Sequence, residues 1–213
     1  MKFQDLLALV GKMPYFDLPT LVQLTREKRQ SLRVQLYRWT KSGKLISLRR
    51  SMYAFAEPYR RVEINPAALA NALYRPSYLS CQWALSYCDI IPEAVFVHTS
   101  VSTRVARSFR NALSDFNYRH IKADAFFGYK PVVDERENVL VGEPEKALLD
   151  LWHLHEGEWD INRMVEMRFQ NFEMVDCKTL ELYARAFKSP RLLRAVDVFV
   201  RLSKLEFEDS IEL

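Results

Sequence analysis

The first 55 residues carry short apolar helical stripes, each cut off by a glycine or a proline, and then two β-rich runs. That order leaves room only for brief helices packed beside a hairpin. Phe3, Leu6, Leu7 and Val10 fall at i, i+3, i+4 and i+7, which is one face of a helix. Gly11 stops that helix and Pro14 lies just beyond. Pro19 opens a second helix over residues 19–25, since the N–H that proline lacks would be unpaired there. Leu18, Leu21, Val22 and Leu24 are its candidates for the core. A polar turn spans residues 26–30. Ser31 then suits the cap of a third helix running to about residue 42, with Leu32, Leu36 and Trp39 inward and Gly43 at its end. The runs 44–48 and 52–55 flank Arg49-Arg50-Ser51 and form a hairpin. Helix, short helix, basic helix and hairpin in this order read as a winged helix-turn-helix.

Charge divides at the same place. Residues 1–61 hold 13 Lys and Arg against four acids, a net of +9, while the rest of the 213-residue chain carries −5. A small basic module is drawn to phosphate backbones, where each neutralised phosphate releases a counterion. With Leu32, Leu36 and Trp39 buried, the third helix presents Arg33, Gln35, Tyr37 and Arg38 outward, with Gln30 and Ser31 at its tip. Such side chains reach base edges in a major groove wide enough for a helix. Lys28, Arg29, Lys41, Lys44, Arg49 and Arg50 are the expected phosphate contacts, which position a module without reading sequence. The expected ligand is double-stranded DNA, bound by a monomer or by a dimer.

Residues 62–213 read as one mixed α/β domain, so the expected class is α+β with domains over 1–61 and 62–213. Helices are expected over 66–74, 80–87, 145–155, 161–172, 178–187 and 191–204, and strands over 94–101, 107–110, 116–121 and 139–141. Ser80 is a good helix cap, and residues 206–212 are an acidic tail expected to fray.

Three short motifs recur in a telling order: Met52-Tyr53-Ala54-Phe55, then Pro76-Ser77-Tyr78-Leu79-Ser80 with Trp83-Ala84-Leu85, then residues 141–150, Val-Gly-Glu-Pro-Glu-Lys-Ala-Leu-Leu-Asp. The series resembles the AbiEi-type antitoxins of type IV toxin–antitoxin systems, which serve in abortive infection. The similarity runs over about residues 1–154. Cys81-Gln82 departs from the family, where a small or acidic residue often precedes the Ala-Leu. The resemblance implies a transcriptional autorepressor whose N-terminal domain binds its own operator. It also implies a C-terminal antitoxin domain acting against a cognate nucleotidyltransferase-like toxin. A winged regulator that binds proteins or ligands without antitoxin activity is the alternative.

Other chemistries find little footing. Five glycines, with neither G-x-G-x-x-G nor G-x-x-x-x-G-K-[ST], argue against a nucleotide loop, and no cofactor is expected. His153 and His155 lie two apart, so on a helix their rings diverge by about 200° and cannot share one metal. Cys81 and Cys88 lack partners for a zinc site, and no His neighbours a cysteine in sequence. Asp176 reads as a helix cap, and Glu143, Glu145 and Asp150 as acids complementing a helix dipole. No catalytic residue, metal site or enzyme activity is expected. Three cysteines suit a reducing compartment, and no apolar run nears the roughly 18 residues of a membrane span. A cytoplasmic protein without membrane contact is therefore expected. A second basic stretch, Arg104, Arg107, Arg110, Arg119 and Lys122, is a candidate for contact with DNA or toxin.

Overall fold

The structure, a computed structural model, describes residues 1–135 and 137–211, with side chains through Leu205. Among these residues, nine α-helices and two sheets make a mixed α+β fold. The chain begins with α1 (Phe3–Val10), β1 (Phe16–Asp17), α2 (Leu18–Thr25), α3 (Arg29–Lys41), β2 (Leu45–Arg49) and β3 (Met52–Phe55). The three strands form an antiparallel sheet in the order β1-β3-β2. Asp17 closes β1 and caps α2, its carboxylate accepting from the Thr20 N–H at 2.9 Å. Gly43 ends α3 with φ +71, a left-handed conformation that a side chain disfavours.

Several local expectations shift. A two-residue strand such as β1 is too short to carry a period, so its sequence gave no sign of it. The third helix starts at Arg29, not Ser31; Lys28 precedes it without a side-chain cap, and Ser31 lies inside the first turn. Leu24 is 49% exposed: it lies in the last turn of α2, rotated about 120° from Leu18 and about 60° from Leu21, the two buried residues of that helix.

The remaining elements are α4 (Pro66–Leu73), β4 (Tyr78–Leu79), α5 (Cys81–Tyr87), β5 (His98–Ser102), β6 (Arg107–Arg110), β7 (Asp115–His120), β8 (Tyr129–Asp134), β9 (Glu137–Gly142), α6 (Pro144–Leu154), α7 (Ile161–Glu166), α8 (Cys177–Ala186) and α9 (Pro190–Ile211). Six strands form one mixed sheet in the order β6-β7-β5-β4-β9-β8. Strand β4 pairs antiparallel with β5 and parallel with β9, which puts a two-residue strand at the sheet centre. Strand β8 contains Pro131 and accordingly lies at the sheet edge, where a missing N–H costs least. The expected strand over 94–101 begins only at His98, and Phe96 stands out in solvent. The expected helix over 161–172 ends at Glu166, after which Arg168 and Asn171 both adopt φ +52. Ser80 precedes α5 without capping it, because its hydroxyl is committed elsewhere. Helix α9 runs on to Ile211, past the point where fraying was expected; the side chains of that acidic tail lie outside the described residues.

The buried apolar side chains form two clusters. The smaller gathers Leu6, Val10, Phe16, Leu18, Leu21, Leu32, Leu36, Leu45 and Phe55 from the first six elements. The larger is built mainly from residues beyond 62, yet it takes in Leu48, Met52 and Ala54 from the other face of the β2–β3 hairpin. The hairpin therefore serves both cores, and Asn111 fastens it further by donating to the Leu48 carbonyl at 3.2 Å. Removing the Leu48 side chain should loosen both parts at once. Leu48→Ala is expected to cost about 2–5 kcal/mol in chemical denaturation of the full chain, as for other buried leucines. A loss under about 0.5 kcal/mol, the range of neutral surface changes, would contradict this shared role of the hairpin.

Candidate nucleic-acid interface

Helix α3 is anchored by Leu32 and Leu36, both fully buried and one turn apart. That anchoring turns Arg29, Gln30, Ser31, Arg33, Tyr37, Arg38 and Lys41 out to solvent, with Lys28 exposed just before them. Val34 is also exposed, at 42%, beside Tyr37 at 61%. The sequence reading did not include Val34 among the outward residues of this helix. Gln35 sits apart from the outward set: it is half-buried, and its carboxamide lies 3.3 Å from the Ser31 hydroxyl and 3.2 Å from the Met1 amine. The Met1 amine in turn pairs with Glu27 at 2.6 Å. Trp39 is half-buried and meets Phe3 edge-on at 5.5 Å.

The hairpin extends this surface. Lys44 holds its ammonium 4.9 Å above the Phe3 ring, Arg49 is half-buried at the end of β2, and Arg50 is exposed in the turn. Burial raises the Tyr53 hydroxyl pKa above its ordinary value, and the positive charge of Arg33 acts against that rise. Among the described residues, no carboxylate pairs with Lys28, Arg29, Arg33, Arg38, Lys41, Lys44, Arg49 or Arg50. A surface of unneutralised cations is what phosphate contact requires.

The second basic stretch divides on folding. Arg110 forks onto Asp115 at 2.7 and 2.8 Å, and Arg119 donates to the Leu154 carbonyl at 3.2 Å. Lys122 stands exposed ahead of a 3-10 turn at Ala123–Ala125. Arg104 and Arg107 instead turn toward Tyr74, where they meet Arg75 and the hairpin arginines. Arg75 follows α4 and was not singled out from sequence, since nothing local distinguishes it from any other exposed arginine.

Glu145 does stand in the first turn of α6, where an acid complements the dipole, but Asp150 lies mid-helix and does something else. Asp150 is fully buried, pairs with Lys146 one turn earlier on α6, and accepts from the Tyr78 hydroxyl at 2.8 Å and the Ser80 hydroxyl at 2.7 Å. Rings of Phe187, Phe127 and Tyr78 surround the Lys146 ammonium at 4.8, 5.3 and 5.5 Å. Burial pulls the Lys146 pKa below its ordinary value despite Asp150, and pushes Tyr78 up. Glu145 accepts from the Asp176 N–H at 2.7 Å, and Glu143 from the Tyr183 hydroxyl at 2.7 Å. With Lys146 and Asp150 sealed from solvent, the network braces α6 against β4. The i,i+4 spacing of Lys146 and Asp150 was the available signal, but nothing in the sequence says that both are buried.

Burial pushes the Cys81 thiol pKa up as well, which holds it protonated, the reverse of an activated nucleophile. His155 has Nδ1 2.8 Å from the Leu151 carbonyl, and His153 is exposed. Asp176 does cap α8, accepting from the Lys178 N–H at 3.0 Å. Among the described residues no three His, Cys, Asp or Glu side chains gather to hold a metal. None of the described helices is long and apolar enough to cross a membrane. No protein-family model matches the chain, and no curated protein matches it significantly.

Removing one member of a buried pair strands the other charge. Asp150→Ala is expected to destabilise the protein by about 3–5 kcal/mol. The double substitution Lys146→Met with Asp150→Leu should lose less, because no charge is left buried. Thermal denaturation of the two variants decides the matter; a double variant as weak as the single one would refute the pairing argument.

Proposed function

We propose that the protein is a DNA-binding transcriptional autorepressor that grips operator DNA through a winged helix-turn-helix in residues 1–61. On this reading α2 and α3 are the paired helices, α3 enters the major groove and the β2–β3 hairpin is the wing. The observation that carries it is the row of exposed cations and hydrogen-bonding side chains along α3 and the hairpin, with no described carboxylate to neutralise it. Arg33, with Gln30, Ser31 and Arg38, is the base-reading group, while Tyr37 and Val34 can touch a thymine methyl. Gln35, turned toward Met1, supports the helix rather than the DNA. Lys28, Arg29, Lys41, Lys44, Arg49 and Arg50 hold phosphates.

The second half of the proposal is an antitoxin role for residues 62–213, against a nucleotidyltransferase-like toxin. Its support is the resemblance of the motifs at 52–55, 76–85 and 141–150 to AbiEi-type antitoxins. The buried Lys146–Asp150 network is consistent with that motif being retained for architecture, since it lies too deep to meet a partner.

The test uses duplexes from the protein's own upstream region. Neutralising about six phosphates should make log affinity fall with log salt at a slope of about −5. Arg33→Ala is expected to cost about 1–3 kcal/mol on the operator and relax base preference. Arg50→Ala should weaken all duplexes alike and flatten the salt slope by about one unit. Equal, sequence-blind losses in both variants would remove α3 as the reader. For the antitoxin role, the full chain and its Arg33→Ala variant should both restore growth to cells expressing the neighbouring toxin gene. Failure of the full chain to do so would overturn that half.

A further inference from the structure

The hairpin arginines meet a second set of arginines where the two cores join. Arg49 at the end of β2, Arg50 in the turn after it, Arg75 after α4, Arg104 after β5 and Arg107 at the start of β6 line one cleft of about 250 Å³ with Tyr74 at its wall. No acid lines it, and among the described residues none of the five arginines pairs with a carboxylate. Five like charges held around so small a space repel one another, and no carboxylate in its lining offsets this. Arg49 adds a second sign: its Nη1 reaches the Arg50 carbonyl at 3.5 Å, but its Nε is buried with no hydrogen-bond partner. Buried donors almost always find an acceptor, and a charged one left without any is costly.

The Tyr74 side of the cleft is held in place before any ligand arrives. The Arg104 guanidinium stacks 4.4 Å from the Tyr74 ring centroid and donates to the Arg75 carbonyl at 3.1 Å. Tyr74 donates its hydroxyl to the Val105 carbonyl at 2.9 Å, which ties down the loop between Arg104 and Arg107. Arg107 lies 5.9 Å from Tyr74 and 6.0 Å from Phe109, again over ring faces. Such pinning lowers the ordering cost of binding. The guanidinium fork suits the oxygens of a phosphate, which it can meet bidentately. At about 250 Å³ the cleft is smaller than the roughly 300–1,000 Å³ of drug-sized ligand sites, so the bound group is small.

We propose that this cleft is a phosphate-binding site, taking a phosphoryl or pyrophosphoryl group of a small phosphorylated molecule or a phosphodiester of a nucleic-acid backbone. The site does not require the operator-binding reading. Because its walls come from both the hairpin and the segment beyond residue 62, a bound anion clamps the two together.

The experiment titrates the full chain with inorganic pyrophosphate at constant ionic strength, following heat of binding and melting temperature. Saturable binding and a rise in melting temperature are expected. The double variant Arg104→Ala with Arg107→Ala should weaken binding by about a hundredfold, roughly tenfold for each charged hydrogen-bonding group removed. Arg50→Ala, in an exposed turn, should also weaken it and carries the test should the double variant fold poorly. Arg110→Ala, whose partner is Asp115, should leave it unchanged. Absence of pyrophosphate binding at millimolar concentration, or equal binding by wild type and the arginine variants, would overturn the proposal. A labelled duplex then separates the sources. Displacement of duplex by pyrophosphate in wild type, lost in the double variant, assigns the site to backbone phosphate. Simultaneous binding assigns it to a free phosphorylated molecule. A protein that binds pyrophosphate but no duplex would fail the DNA reading and leave the cleft standing.

Discussion

Asp150 receives Tyr78 and Ser80 from either end of β4 and Lys146 from its own helix, all in a space closed to water. Strand β4 has two residues, too few for backbone pairing alone to hold it, yet it sits at the middle of a six-stranded sheet. The side-chain network gives it a second attachment, to α6, and through β4 the two halves of the sheet are joined. Polar groups buried so deeply stabilise only when every partner is present, because each missing bond leaves a desolvated group behind. Gly128 belongs to the same arrangement: it has φ +67, and a Cβ there would come within 2.9 Å of Tyr183 and 3.2 Å of Lys146.

From that centre the architecture spreads to the surface through the hairpin. One face of β2–β3 closes over the small helical core and the other contributes Leu48, Met52 and Ala54 to the large one. A hairpin held on both sides presents Arg49 and Arg50 at a fixed place relative to Arg104 and Arg107. Fixed geometry is what distinguishes a binding surface from scattered surface charge, since mobile arginines must first give up side-chain entropy. The basic residues of the hairpin thus meet those of the segment beyond residue 62.

Charge neutralisation inside the fold sharpens this surface. Arg110 is occupied by Asp115, Arg119 by a backbone carbonyl and Arg194 by Glu158. Arg49, Arg50, Arg75, Arg104 and Arg107, none of them paired with a described carboxylate, gather instead around the Tyr74 cleft. An even scatter of the same residues would solubilise the protein equally well without focusing a field anywhere.

The sequence by itself determined the elements with strong local signals. The i, i+3, i+4, i+7 pattern of Phe3, Leu6, Leu7 and Val10, the proline and glycine at helix ends, and the β-rich runs around Arg50 are local preferences that need no distant partner. The outward set on α3 was legible too, because burying Leu32 and Leu36 fixes which positions face away, although Gln35 was not separable without knowing where Met1 lies. Tertiary structure alone decided what depends on residues far apart in the chain. It made β1 and β4 strands, since two residues become a strand only beside a neighbour. It buried Lys146 with Asp150, which the sequence presents as an ordinary surface pair. It also sorted the arginines, bringing Arg49, Arg75 and Arg104 to one cleft while pairing Arg110 away, because an ion pair or a cleft is a property of distances that sequence spacing does not contain.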